Sequence, residues 1–402
     1  MIHTYPKVKV AAAHVAPIYL DTERTVDKAC SLIAEAAGAG AQLIAFPETF
    51  IPAFPIWTAI AAPILTHELF KALAASAIKV DGPEMGRIRE AARRNQVVVS
   101  IGFNEGTEVS VGCIWNANAL IGDDGALLNH HRKLVPTYYE KLIWANGDGA
   151  GLRVVETPIG RIGMLICGEN TNPLARYTLM AQGEQIHISS YPPVWPTKPA
   201  SQSGAYDLEQ AIKIRAGAHS FEAKVFNVVA SACVDRVMLD RLESALGSAV
   251  LADLEHTPRG VSVVIGPTGL PISEVVSGEE KILYCEIDLR ECVEPKQFHD
   301  VVGYYNRFDI FRLEVDRSGR RPVSFLATTG RDDASDVNSK TGMPMATERR
   351  GGAIASHERI RAPRKPQPMR RNWRTTTCCE FPAVLEQKSR GSYSRVRSSR
   401  LL

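Results

Sequence analysis

No apolar run in the 402 residues approaches the roughly 20 that a membrane-spanning helix needs, so a membrane protein is not expected. The opening residues, MIHTYPKVKV, lack the apolar stretch of a secretory signal, and the expected compartment is the cytoplasm. There is no CxxC pair and no histidine at zinc-finger spacing from a cysteine, which excludes the common structural zinc modules. The eight cysteines, Cys30, Cys113, Cys167, Cys233, Cys285, Cys292, Cys378 and Cys379, stand singly except for the last pair. In a reducing compartment they are free thiols, inert unless the surroundings favour the thiolate. No Ser/His/Asp or Cys/His set is recognisable, and nothing repeats at a spacing of 20 to 50 residues.

What is present divides in two. From Ala327 to Leu402 there are 16 Lys and Arg against 7 Asp and Glu, a charge of +9, while the remainder has 31 against 37, or −6. The tail is rich in Arg, Ser, Pro and Thr, has no sustained apolar period, and is expected to be disordered. A basic arm of this kind binds nucleic acid in some proteins, and that is the remote alternative here; a dispensable extension is the plainer reading.

Residues 1 to 326 alternate between strand and helix patterns. Short β-rich runs are expected at 7 to 14, 42 to 48, 97 to 103, 114 to 122, 161 to 167, 185 to 190, 224 to 232, 261 to 267 and 281 to 288, each bounded by turn formers. Helical spacing follows in TERTVDKACSLIAEAAGAGA, PEMGRIREAARRN and SGAYDLEQAIKIRAGAHSFEA. Several of the strands are apolar almost throughout. Such strands need cover on both faces, which implies an α/β protein with helices on one side of each sheet and a second sheet on the other.

Three polar residues stand at the ends of these elements: Glu48 after LIAFP, Lys133 after NHHR, and Cys167 after RIGMLI. Rigid strand ends opening into loops are where reactive groups collect. Singly, each has a plainer reading: a surface or capping carboxylate, a solvated basic turn, a small buried hydrophobe. His130 and His131 read as exposed turn histidines.

Taken with their flanks, the three residues carry a resemblance. GAQLIAFPETFIPAFP (40 to 55), HRKLVPTYYEKLIWANGDG (131 to 149) and GMLICGENTNPLAR (163 to 176) resemble, in order and spacing, the three motifs of the nitrilase or carbon-nitrogen hydrolase family, over about residues 5 to 325. The AFP ending, the KLVPTYYEKLIW context and SSYPPVWP (189 to 196) are similar to the nitrilase branch rather than the amidase branches. The resemblance implies a four-layer α-β-β-α sandwich of the nitrilase type in residues 1 to 326, with residues 327 to 402 outside it. It implies hydrolysis of an organic nitrile to the carboxylic acid and ammonia through a thioimidate and then a thioester on Cys167. Glu48 is then the base, Lys133 the fixed positive charge beside the tetrahedral intermediate, and Glu140 a second glutamate near the pair, with no metal or organic cofactor.

The residue types suit that chemistry. A neutral thiol is a poor nucleophile toward a nitrile or amide carbon, so Cys167 must lose its proton to a neighbouring base. A carboxylate serves if burial holds its pKa near the working pH. A fixed ammonium stabilises the charge that develops and favours the thiolate. Phe54, Trp57, Tyr138 and Trp195 are candidate pocket aromatics, each with core packing as its plainer alternative. Glu169 falls at a family position that is mostly structural. The chain departs from the family at Gly168, where Trp is common, and Asn170, and the loss of an aromatic at 168 is expected to open space or loosen the turn. The resemblance also implies a homo-oligomer, a dimer or a longer spiral. The same Glu-Lys-Cys set would serve an amidase, a carbamoylase or a cyanide-hydrolysing enzyme, which are the nearest alternatives.

Overall fold

A computed structural model describes residues 5–319; the expected tail, residues 327 to 402, lies outside the described residues. Eleven strands are described: β1 (Lys7–His14), β2 (Leu43–Ala45), β3 (Val98–Glu105), β4 (Trp115–Ile121), β5 (Leu127–Arg132), β6 (Val155–Thr157), β7 (Gly160–Ile166), β8 (Ile186–Tyr191), β9 (Phe226–Ser231), β10 (Val263–Ile265) and β11 (Lys281–Asp288). The helices are α1 (Thr22–Gly38), α2 (Trp57–Ile60), α3 (His67–Ser76), α4 (Pro83–Asn95), α5 (Pro173–Met180), α6 (Leu208–Ala223), α7 (Arg236–Leu246) and α8 (Ala249–Glu255). All nine expected strands are present; β5 and β6 have no counterpart among them, β5 because its sequence LLNHHR is mostly polar and β6 because it is three residues long with no fully buried side chain.

The strands make two sheets, in the orders β11-β1-β2-β3-β4-β5 and β10-β9-β8-β7-β6. Each is built around three parallel strands, β1-β2-β3 and β7-β8-β9, with antiparallel strands outside them. The pleat explains why the strands read as nearly continuous apolar runs. Along β1, Val8, Val10 and Ala12 face the second sheet, where Met164, Ile188 and Val228 meet them, while Ala11 and Ala13 face α1 and α4 through Val26, Ile33 and Ile88. The outer face of the second sheet is covered by α5 and α6: Leu165 packs on Ala175 and Leu179, and Val229 and Ile265 on Ile212 and Ala216. The result is the α-β-β-α sandwich.

Helix ends are set by ordinary caps. Asp21 accepts from Arg24 N ahead of α1, Asp207 from Gln210 N ahead of α6, and Asn172 from Leu174 N and Ala175 N ahead of α5, whose first residue is Pro173. The period of two also places Lys133. In β5 and the residue after it, Asn129, His131 and Lys133 point inward and are buried, whereas His130 and Arg132 point to the other side and bond Glu105. His130 and His131 are therefore strand residues rather than exposed turn histidines, and His131 is fully buried.

The loop after β2 that carries Glu48 runs against β3 at Gly102. A Cβ at Gly102 would lie 2.3 Å from the Pro47 carbonyl oxygen and 2.5 Å from Thr49 N, so only glycine lets the loop pass. Gly102→Ala should cost about 1 to 3 kcal/mol of stability, read as a lowered urea midpoint, with the displaced loop carrying Glu48 out of place.

Candidate active site

Glu48, Lys133, Glu140 and Cys167, from four separate segments, meet at one end of the space between the sheets. Lys133 Nζ donates to Glu48 Oε1 at 2.7 Å and to Glu140 Oε2 at 2.6 Å, with all three side chains withdrawn from solvent. Cys167 Sγ and one carboxylate oxygen from each of Glu48 and Glu140 lie within 4.8 Å of one another. The ammonium of Lys133 thus holds the cation position between two carboxylates, beside a thiol.

Each member is fixed from behind. Glu48 Oε1 also accepts from Asn116 Nδ2 at 2.6 Å, which leaves Oε2 as the buried oxygen without a protein partner. Asn116 comes from β4, and its carbonyl accepts the backbone N–H of Lys133, so one strand residue steadies both charges. Glu140 sits on a 3-10 turn, residues 138 to 142, opened by Thr137, whose N–H donates to Glu140 Oε2 at 2.7 Å. Trp195 Nε1 donates to Glu140 Oε1 at 3.3 Å, and the Trp144 ring lies 5.8 Å from Lys133 Nζ. Glu140 is fully buried.

Cys167 occupies the sharp turn between β7 and a 3-10 segment, residues 167 to 171, with φ of +48°. A non-glycine residue in that region costs about 1 to 2 kcal/mol, so the neighbours must hold it. Glu169 supplies part of the hold. Its Oε2 accepts from Ile166 N at 2.8 Å and lies 2.9 Å from His131 Nε2, and its Oε1 accepts from Leu134 N at 2.5 Å. One carboxylate therefore joins the cysteine turn to the residues on both sides of Lys133.

Burial in so dry a place sets the protonation states. Desolvation, together with repulsion from Glu140 and against the pull of Lys133, raises the Glu48 carboxyl to about 7. Burial pulls the Lys133 ammonium down, but Glu140 and Glu48 outweigh it and hold the group well above the usual lysine value. Burial and the negative charge of Glu48 push the Cys167 thiol well up, with Lys133 opposing. The resting cysteine is a thiol. A proton passing from Sγ to Glu48 would neutralise the charge that holds the thiol up, so the transfer removes part of its own barrier.

The expected pocket residues divide. Trp195 stacks on Tyr139, ring centroids 5.2 Å apart, and meets Tyr206 edge-on at 5.3 Å. Tyr138 is exposed, with φ of +52°, and lines two surface cavities of about 210 and 310 Å³; Gly168 lines the second. Phe54 and Trp57 are packed in the core beside Leu73, Trp144 and Met238. Beside Gly168 the expected free space is absent on one side. A Cβ there would meet Thr137 Oγ1 at 2.7 Å, so Thr137 closes one side of the space, while Gly168 still borders the cavity of about 310 Å³. Asn116, Thr137 and Glu169 complete the site without having been singled out as parts of it. Asn116 carried a signal, as one of two asparagines alternating with apolar residues in β4.

The chain matches the family described as carbon-nitrogen hydrolase over residues 9–297. It is 35% identical over 326 residues to an arylacetonitrilase of Aspergillus niger, covering 80% of this chain and 96% of that protein. Among solved structures it is similar to a carbon-nitrogen hydrolase of Helicobacter pylori, with a TM-score of 0.59, 18% identity and coverage of 76% and 97% of the two chains. It also resembles an amidase of Nesterenkonia, in a mutant whose active-site cysteine carries the acetamide moiety of fluoroacetamide (TM-score 0.52, 17% identity, coverage of 73% and 95%).

The raised Glu48 carboxyl has a consequence for folding. Between about pH 4.5 and about 7 the folded state holds a proton that the unfolded chain has released, so this group's contribution to stability is present below that window and is lost as the pH rises through it. Glu48→Gln removes the effect. Urea midpoints of the two proteins should converge toward pH 4.5, and wild type should weaken relative to the variant by pH 7.

Proposed function

Because the chain belongs to the carbon-nitrogen hydrolase family, we propose that it is a nitrilase, converting an organic nitrile to the carboxylic acid and ammonia on Cys167. The observation that carries the reading is the buried ammonium of Lys133 held by Glu48 and Glu140 within reach of the thiol. Glu48 takes the Sγ proton through its unpartnered Oε2 as the sulfur adds to the nitrile carbon, and passes that proton to the nitrogen, giving a thioimidate. Water adds, ammonia leaves, and a thioester remains; a second water, deprotonated by Glu48, releases the acid. Lys133 stabilises the anionic tetrahedral species at each addition. Glu140, bonded to Lys133 and to Thr137 N, holds the ammonium in place.

Arylacetonitriles are the substrates to try first. The relative from Aspergillus bears that name, and the rings of Tyr139 and Tyr206, gathered on Trp195, which bonds Glu140, offer aromatic faces to an aryl group. An amidase is the second reading, favoured by the fold it shares with the Nesterenkonia enzyme. The catalytic domain is assigned to residues 1 to 326, in a reducing cytoplasm that keeps Cys167 a thiol. No helix among the described residues is long and apolar enough to cross a membrane.

A homo-oligomer is also proposed. Phe221 of α6 contacts His299, which packs on Tyr305, and Tyr305 lines an apolar cavity of about 680 Å³ with Leu174 of α5, Phe308 and Phe311. So continuous an exposed apolar surface suits a second copy of the chain.

Ammonia release should be measured with phenylacetonitrile and its amide side by side. Cys167→Ala should release none, and Glu48→Gln should lose on the order of 10² to 10⁴ in kcat. The acid limb of kcat/KM should rise through about pH 7, where Glu48 ionises. Release from the amide alone would move the protein to the amidase reading. Ending the chain after Leu326 should keep the activity, while Leu174→Glu combined with Phe311→Glu should lower the sedimentation coefficient toward that of a monomer.

A further inference from the structure

Behind the cysteine turn, away from Lys133, lies a second buried polar set that the chemistry above does not use. Glu184, His187, His219 and Asn170 are all withdrawn from solvent. Glu184 precedes β8, His187 is on β8, His219 on α6, and Asn170 in the turn three residues past Cys167. Glu184 Oε1 lies 2.7 Å from His187 Nδ1, and its Oε2 lies 2.7 Å from His219 Nε2. The two imidazoles stack with centroids 3.7 Å apart. His187 Nε2 reaches Asn170 Oδ1 at 2.9 Å, and Asn170 Nδ2 donates to the Cys167 carbonyl at 3.1 Å.

The bonds fix the protons. Asn170 faces two carbonyls, those of Leu165 and Cys167, with one end of its amide, and that end must be the NH₂. Its Oδ1 then accepts from Ser189 Oγ and from His187 Nε2, so Nε2 carries a proton. Nδ1 of the same ring faces a carboxylate and carries another. His187 is an imidazolium paired with an ionised Glu184. His219 donates through Nε2, while its Nδ1 is buried without a partner, so it is neutral, as the close stacking of two rings also requires. Burial lowers His219 to about 4, helped by the charge on His187; for Glu184, burial acts upward but the two histidines outweigh it and bring the carboxyl to about 2. The three groups are of metal-ligating type, but both Glu184 oxygens already receive ring N–H groups, so a metal would have to displace two protons. Room for the carboxylate is reserved in β7, where a Cβ at Gly163 would lie 2.0 Å from Glu184 Oε1.

We propose that Glu184, His187 and His219 form a buried charge clamp whose output, through Asn170, fixes the backbone of the cysteine turn, making His187 and Asn170 positioning residues for Cys167. The inference rests on Cys167 being the nucleophile. The clamp explains why a left-handed cysteine stays put: Glu169 holds the residue before it, and Asn170 holds its own carbonyl. Other charges facing the set are Arg176 of α5, paired with Glu222 of α6, and Lys296 beyond the end of α6.

The test begins with ¹⁵N-histidine NMR of the wild-type protein, which needs no variant to fold. His187 should show both nitrogens protonated, as its two acceptors require, and His219 one. An unprotonated or metal-bound His187 nitrogen at about pH 6 would overturn the clamp. Glu184→Gln and Asn170→Ala should each lower kcat on the order of 10²-fold and leave KM within about twofold. They should also slow alkylation of Cys167 by iodoacetamide, followed on its own peptide by mass spectrometry. Wild-type kcat and alkylation rates in both variants would sink the proposal. If wild type acts on no nitrile or amide, the function above fails, while the NMR and alkylation arms still decide the clamp.

Discussion

One ammonium shared between two carboxylates in a space without water is the constraint on which the site depends. Lys133 cannot lose its proton there, because Glu140 and Glu48 both need it, and neither carboxylate could stay buried without it. The set carries two acids and one base, so the odd negative charge is destabilised, and the destabilisation falls on Glu48, whose second oxygen has no partner. A group poised in this way accepts a proton readily near neutral pH. The thiol of Cys167 is an acidic neighbour within reach of it. The same desolvation that makes the cysteine a poor acid makes the glutamate a good base, and the lysine keeps both within range.

The fold supplies the rigidity such an arrangement needs. The charged groups leave from the ends of strands in both sheets, and those strands are buried on both faces. The two inner turns that bring Glu140 and Cys167 to the lysine are short and heavily bonded: Thr137 and Trp195 hold the first, Glu169 and Asn170 the second. Little in this centre depends on a long surface loop.

How much of this could be read from the sequence follows from the range of the interactions. Glu48 and Cys167 were legible because each ends an apolar run, a local feature, and Lys133 with them because the flanks of all three carried a family resemblance. The nine expected strands were legible from their apolar runs, and β5, whose sequence is LLNHHR, was not. Asn116, His131 and Glu169 were harder, since what they do depends on which strand residue lies opposite which, and register is a property of pairs. His131 looked like a turn residue until β5 paired with β4 and turned it inward. Phe54 and Trp57 show the converse: a large aromatic near a motif packs as readily into the core behind it as into a pocket, and here the core took both. At Gly168 the missing side chain suggested open space, and a cavity is there, but Thr137, distant in the chain, closes one side of it.

The single carboxylate of Glu169 grips the cysteine turn of one sheet with one oxygen and, with both, the chain on either side of Lys133 in the other. Thiol and ammonium are consequently one mechanical part. Loss of that one carboxylate would loosen the cysteine turn and the chain around Lys133 together.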